Sequence, residues 1–448
     1  MMSLPELANR VMVSACAMTH TTERAARRFG VGPFLPKLHA DRFIQLGGIP
    51  EAEFRTQLAG CRSFEDTQWA GYWAGFAKEH LARADAALSR LGGPETQQLL
   101  DPANAIDLIT LGDLLAPAVS ILADRGPAAE PDAVQRFCAL HPAASDAAVA
   151  LDGLIKAMVY EFAAAWPGWS PHRLRAYERS HRLGEVMLTA LAPAMGVTFE
   201  TLQIPIGDTD RVRGYLMLPL NAEPVPTVMV SNGLEGTLAE ALLPLLAYRG
   251  TGMGTFVMEM PGTYFYREPL SPASEGVYSR VIDFLATHPG VDADRIGMIG
   301  VSFGAYWSTR MAAVEPRLKV AVSNGALTHR SFRALASIGT PEIIVSTLRN
   351  TTAATSMADM SRKLAKFSLA QHYRDIEIPL LVINGSNDTL ISTQDSIDLA
   401  IGAPHAQLVL YDGDDHCAMG HAEQWSELST RFLRAHLFTH DPVEVAAR

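Results

Sequence analysis

A serine hydroxyl attacks a carbonyl only when a base takes its proton, and a histidine serves best when a carboxylate holds its ring in one tautomer. The sequence supplies these groups in the order serine, acid, histidine. Gly300-Val301-Ser302-Phe303-Gly304 matches G-x-S-x-G, the tight turn that exposes a nucleophile between a strand and a helix. Asn384-Gly385-Ser386-Asn387-Asp388 follows an apolar run, and Asp412-Gly413-Asp414-Asp415-His416 follows another. These spacings nominate Ser302 as nucleophile, His416 as general base and Asp388 as the acid that orients it. Asp414 and Asp415 are rival acids, read as solvated turn residues, and His421 is placed at the start of the final helix. Asp388 has a second reading as the cap of the helix after it. Acyl transfer also needs two N–H groups aimed at the developing oxyanion. Phe303, directly after the nucleophile, offers one, and Leu234 in Asn232-Gly233-Leu234-Glu235-Gly236 offers the other.

These groups need a scaffold that brings three distant loops together. From about residue 196 the sequence alternates short apolar runs with helical patterns. Residues 198–204 and 212–218 read as a hairpin, and 227–230, 255–260, 296–301, 320–323, 380–383 and 408–411 as buried strands. Between them Val277, Val281, Phe284 and Leu285 mark a helix stopped by Pro289-Gly290. The implied fold is α/β, a mostly parallel sheet covered by helices. Residues 327–370 are too long for a plain crossover and read as an inserted helical lid within a catalytic domain at 196–448. Residues 1–195 carry helical spacing throughout and read as a helical N-terminal cap domain. Leu151, Leu154, Ile155, Met158, Val159 and Phe162 line one helix face there, with Asp152 and Lys156 paired beside them. Ser63 and Asp66 read as a capping box for a helix bearing Trp69, Tyr72, Trp73 and Phe76, and Ser170-Pro171 opens another helix.

The composition excludes other classes. The 448 residues are 48% apolar, enough for a large core, and a formal charge of −11 without a basic tract argues against nucleic acid or anionic membranes. Four dispersed cysteines form no CxxC pair and read as free thiols, with Cys417 a small buried filler beside His416. Val13-Ser14-Ala15-Cys16 resembles a lipoprotein cleavage box, but the apolar run before it is too short for export, so the segment reads as helix and the protein as cytoplasmic. No cofactor or metal is expected: G-x-G-x-x-G, P-loop and H-E-x-x-H motifs are missing, and single histidines such as His39 and His80 read as surface or satisfied core residues.

The region from about residue 196 resembles one branch of the α/β-hydrolases, in which a helical N-terminal domain precedes and covers the core. That branch includes the 2,6-dihydroxypseudooxynicotine hydrolases, the fungal heptaketide pigment hydrolases and the fermentation–respiration switch esterases. The resemblance rests on Asn232 to Gly236, Met260-Pro261-Gly262, Val291-Asp292-Ala293-Asp294-Arg295-Ile296 and the elbow and triad residues. It implies cleavage of a small acyl or aryl ketone substrate, at an ester or at a C–C bond next to a ketone, by serine attack or by activated water. A departure follows Pro261-Gly262, where Thr263-Tyr264-Phe265-Tyr266 replaces small residues; Tyr264 either stacks on an aromatic or polyketide-like substrate or packs under the lid. Glu235 either binds a substrate hydroxyl or faces water, and Trp69, Trp73 and Tyr177 either face the pocket between domains or pack as core. The same triad would serve an acyltransferase or thioesterase; a binding protein on this scaffold would be expected to have lost a triad member. The large helical half is compatible with a homodimer.

Overall fold

The computed structural model describes residues 4–125, 132–221, 223–333 and 339–438. Its centre is an eight-stranded sheet in the order β1-β2-β4-β3-β5-β6-β7-β8. The strands are β1 (Val197–Ile206), β2 (Asp210–Pro219), β3 (Val225–Ser231), β4 (Gly254–Met258), β5 (Val291–Val301), β6 (Leu318–Asn324), β7 (Leu380–Gly385) and β8 (Ala406–Tyr411). β1, β2 and β4 pair antiparallel, and every pairing from β4 to β8 is parallel. The expected hairpin and buried strands are therefore present, and the fold is that of an α/β-hydrolase. Val228, Met229, Phe256, Met298, Val320 and Val382 are fully buried, as continuous apolar runs require when helices cover both faces.

The order of connections fixes where a site can form. From β3 the chain crosses to β4 on one side through the helix Leu238–Leu246, then to β5 on the other side through Glu275–Thr287. The connection out of β3 leads to β4 on one side and that out of its neighbour β5 leads to β6 on the other, so a crevice opens beyond the C-terminal ends of β3 and β5. Ser302 and the Asn232–Gly236 loop lie there.

The N-terminal region is built of helices. The helix Ser145–Ala165 buries Leu151, Leu154, Ile155, Met158, Val159 and Phe162 as the spacing implied. It also buries its opposite face, because Asp66–Leu91, Pro171–Leu191 and Leu238–Leu246 pack around it. Asp152 and Lys156 stand 3.2 Å apart. The start of Asp66–Leu91 differs from the expected capping box: Glu65 accepts from the N–H groups of Thr67 and Gln68, while the Ser63 hydroxyl bonds Glu23. A carboxylate with two donors in reach displaces a hydroxyl that has a charged acceptor of its own. Pro171 opens its helix as expected, with the Ser170 hydroxyl turned to Asp66. Between β6 and β7 the chain forms helices Glu342–Thr351 and Met357–Ala365; residues 334–338 of the expected lid lie outside the described residues. Val13 to Cys16 lie inside the helix Leu4–Thr19, and no described helix is long and apolar enough to cross a membrane.

One buried carboxyl joins the helical region to the sheet. Glu259, just past β4, accepts from the Leu238 N–H at 3.0 Å and from the Tyr177 hydroxyl at 2.8 Å. Burial pushes its pKa up to about 7, against the lowering effect of those two bonds. The unfolded chain therefore releases this proton first, and the stability the group contributes is lost as pH rises from about 4.5 through about 7. Glu259→Gln can keep both bonds without a charge to bury. Its melting temperature is expected to gain on the wild type between pH 5 and pH 8, a gap that thermal melts at both values would show; a constant gap would contradict the burial argument.

Candidate active site

Ser302 sits between β5 and the helix Phe303–Val314 with φ +58° and ψ −123°, a conformation L-residues rarely adopt. Holding such a backbone costs on the order of 1–3 kcal/mol, so neighbours must enforce it. The Ser302 N–H donates to the Asn324 carbonyl at 2.8 Å. A Cβ on Gly304 would lie 2.2 Å from the Ser231 carbonyl oxygen and 2.7 Å from that of Asn232, so only glycine lets the helix start against β3.

The Ser302 hydroxyl lies 2.8 Å from Nε2 of His416, and Nδ1 of His416 lies 2.7 Å from Oδ2 of Asp388. His416 and Asp388 are buried, and Ser302 is half-buried. Asp388 also accepts from the Asn384 amide at 2.9 Å and, through Oδ1, from the N–H groups of Leu390 and Ile391. The triad and capping readings of Asp388 thus coexist, one on each oxygen. Burial opposes its ionisation, but His416 and these donors hold its pKa below the ordinary carboxylate value. Burial likewise opposes the imidazolium of His416, and the Asp388 carboxylate outweighs that, raising its proton affinity above an ordinary histidine's.

The rival acids are engaged elsewhere. Asp415 accepts from the Thr389 N–H and hydroxyl, and Asp414 binds His421 at 2.8 Å. Both are half-buried rather than solvated turn residues: Asp415 ties the histidine loop to the acid loop, and Asp414 braces the histidine segment itself. His421 stands directly before the final helix Ala422–Leu437. The chain after His416 takes positive φ at Cys417 and Ala418, and Asn384 and Asn324 pin it there. The Asn384 side-chain oxygen accepts from the Cys417 N–H, and the Asn324 amide donates to the Cys417 carbonyl. Neither asparagine was singled out in the sequence.

Leu234 follows Gly233 and Phe303 follows Ser302, so both lie close to the hydroxyl. A Cβ on Gly233 would come within 3.2 Å of the Ser302 hydroxyl oxygen, which puts the Asn232–Gly236 loop in contact with the serine. Both residues line a cavity of about 220 Å³ with Ser302 and His416. Its walls are mostly apolar, with Leu245, Val257, Phe332, Ile344, Leu348 and Met360 among them. Cys417 is buried and lines this cavity too.

Glu235 also lines the cavity, but it does not face water: its carboxylate lies 3.5 Å from Arg42, which binds Glu240 at 2.6 Å. The other nominated aromatics are not in the lining. Trp73 stacks on Phe54 inside the helical region, and Trp69 donates its indole N–H to the Ala163 carbonyl. Tyr177 stacks on Tyr264, whose hydroxyl donates to the Glu235 carbonyl. These rings support the site from behind, since each hydroxyl is used within the protein. The N-terminal region reaches the cavity instead through His39, Arg42 and Trp166. His39 is 1% exposed with neither ring nitrogen hydrogen-bonded among the described residues, so it is neither surface nor satisfied core. His80 is buried and stacks on Tyr160. Among the described residues no group of three or more His, Cys, Asp or Glu side chains is placed to hold a metal ion.

Comparison with known proteins places these features in a family. The family model described as Esterase FrsA-like matches residues 141–409. The 2,6-dihydropseudooxynicotine hydrolase of Paenarthrobacter nicotinovorans is 26% identical over 218 residues, 45% of this chain and 55% of that protein. Esterase FrsA of Photobacterium profundum is 25% identical over 254 residues, 53% of this chain and 59% of that protein. The chain thus spans little more than half the length of these curated relatives. The crystal structure of the 2,6-dihydroxy-pseudo-oxynicotine hydrolase superposes with a TM-score of 0.66 at 19% identity, over 91% of this chain and 98% of that one, a likeness of fold.

The steric argument at the elbow has a direct consequence. Gly304→Ala must push the helix off β3 and is expected to cost about 3 kcal/mol. Gly71→Ala, on an exposed helix position with nothing within 4 Å of the new Cβ, should instead stabilise by about 0.5–1 kcal/mol. Urea denaturation of both variants checks the pair, and equal effects would mean that the elbow is looser than drawn.

Proposed function

The chain belongs to the Esterase FrsA-like family, and from that premise we propose that it is a serine hydrolase acting through Ser302, His416 and Asp388. The observation that carries the reading is the unbroken series of two short hydrogen bonds from hydroxyl to imidazole to buried carboxylate, opening on an apolar cavity. In this reading His416 takes the Ser302 proton as the oxygen attacks an acyl carbonyl, and Asp388 stabilises the resulting imidazolium. The N–H groups of Leu234 and Phe303 receive the oxyanion, each worth about 10²–10³ in rate. His416 gives that proton to the departing alkoxide or enolate, which leaves the acyl group on Ser302. Water then enters and attacks as His416 takes its proton, and His416 returns the proton to Ser302 as the acyl group leaves as an acid. Residues 1–195 act as a cap over the catalytic residues 196–448, which keeps bulk water from the reacting centre.

The substrate is a small, largely apolar acyl compound cleaved at an ester or at a C–C bond beside a ketone. Both chemistries fit the names of the relatives, an esterase and a hydrolase of a pseudooxynicotine. Products formed in ¹⁸O-water from an aryl ester and a matched aryl β-diketone separate them. Label in the carboxylate from the diketone makes this a C–C hydrolase, and label from the ester alone makes it an esterase. Ser302→Ala should lower turnover of either by several orders of magnitude with unchanged circular dichroism. Near wild-type turnover in that variant would remove Ser302 from the mechanism.

The acid limb of kcat/KM reports the free base. Because Asp388 raises the proton affinity of His416, the imidazolium persists to higher pH, and activity should appear as pH rises through a midpoint above about 6.5. A limb at or below that value would show that Asp388 does not act on the ring.

A further inference from the structure

The lining of the cavity also holds polar groups that the triad does not use. His39 and Arg42 lie three residues apart, so both project from one side of the helical run Leu38–Leu46, whose second half is a wide π-turn. His39 is boxed by Phe43, Trp69 and Trp166, with ring centroids 5.1, 6.0 and 4.4 Å away. The indole N–H of Trp166, 1% exposed, is likewise without a hydrogen-bond partner among the described residues. Buried donors and acceptors left unpaired cost free energy, and here they belong to residues that line the same cavity as the nucleophile.

We propose that His39 and the Trp166 N–H, beside the Arg42–Glu235 pair, form a specificity subsite for an uncharged hydroxyl or enol on the acyl substrate, within a few bonds of the reacting carbonyl. The inference rests on the hydrolase reading for what the bound molecule undergoes, and on the cavity alone for what is bound. Trp166 can only donate, whereas a neutral imidazole offers one donor and one acceptor. Burial and the Arg42 charge keep the His39 ring neutral. A hydroxyl or enol accepts from one of these groups and donates to the other. An anion is the wrong ligand, because one guanidinium already faces two carboxylates, Glu240 at 2.6 Å and Glu235 at 3.5 Å. Position follows from the chain: Glu235 comes directly after Leu234, and Gly233 touches the Ser302 side chain. Two residues of chain span at most about 7–8 Å, so the recognised group and the reacting carbonyl belong to one small substrate.

Calorimetric titration of the full-length Ser302→Ala protein with three non-turned-over ligands tests this. The ligands are an aryl-alkyl methyl ketone, its β-hydroxy derivative, and the analogue bearing a carboxylate in place of that hydroxyl. The hydroxy ketone should bind about tenfold tighter than the plain ketone, and the carboxylate weaker than either. Adding His39→Phe, which keeps the ring and removes both nitrogens, should bring the hydroxy-to-plain ratio close to one. His39→Asn, which keeps a donor and an acceptor, should restore part of it. If His39→Phe melts early, Trp166→Phe is read the same way. Equal binding of the two ketones, an unchanged ratio in the variants, or tightest binding of the carboxylate would overturn the subsite. The hydrolase reading is judged separately, by whether ester turnover of the wild type depends on Ser302.

Discussion

The site depends on how closely one helix can start against one strand. The backbone of Gly304 lies against the carbonyls of Ser231 and Asn232, and this approach forces Ser302, two residues earlier, into positive φ. Ser302 is thereby lifted out of both β5 and the helix, with its hydroxyl presented above the sheet. The same contact brings the loop after β3 beside the hydroxyl, which explains why Gly233 must also lack a side chain. Ser302 and the proposed oxyanion donors Leu234 and Phe303 are then one steric unit. A change that relaxed the strain at Ser302 would also withdraw the helix N-terminus that Phe303 begins.

On the histidine side, two buried amides tie the loops together. Asn324, at the end of β6, takes the Ser302 N–H on its carbonyl and gives its side-chain N–H to the Cys417 carbonyl. Asn384, at the end of β7, bonds Asp388 through its nitrogen and the Cys417 N–H through its oxygen. These two buried residues lock the nucleophile, acid and base loops together over neighbouring parallel strands. A buried carboxylate is tolerable only when its oxygens are satisfied, and Asp388 takes four hydrogen bonds, one of them from the imidazole. Little freedom remains for His416 except to exchange a proton with the serine.

Most of the sheet and the meeting of Ser302, His416 and Asp388 could be read from the sequence because both obey local rules. Buried parallel strands are apolar runs, and the elbow is a contiguous motif in a fixed strand–helix setting. The acid and histidine follow from chain order once β7 and β8 are recognised. What could not be read lies where distant segments meet. The cap of Asp66–Leu91 passed to Glu65 because Glu23, 40 residues before Ser63, claims the Ser63 hydroxyl. Trp73, Tyr177 and Tyr264 carry the aromatic character of a pocket, yet their neighbours place them in packing: Phe54 for Trp73, and Glu259 and the Glu235 carbonyl for the two tyrosines. His39 and Arg42 gave no signal beyond their three-residue spacing, since their role arises only where the helical region closes over β3.

That closure makes the electrostatics of the cavity more than a matter of catalysis. A site enclosed by helices has a lower dielectric than water, which strengthens every dipole aimed at a developing charge. Such enclosure also strands any polar group that the helices bring in. Arg42 is matched on the spot by Glu240 and Glu235, and Glu259 is matched by Tyr177 and the Leu238 N–H. These pairs are satisfied inside the protein and hold the two regions in register. His39 and Trp166 are enclosed by the same helices, in the same cavity wall, without such partners. In a low-dielectric wall an unmatched donor is tolerated at a cost that a ligand can remove, and a ligand lacking the complementary group removes none of it. The fold therefore divides its buried polar groups into those that fasten the helical region to the sheet and those left to select what the serine meets.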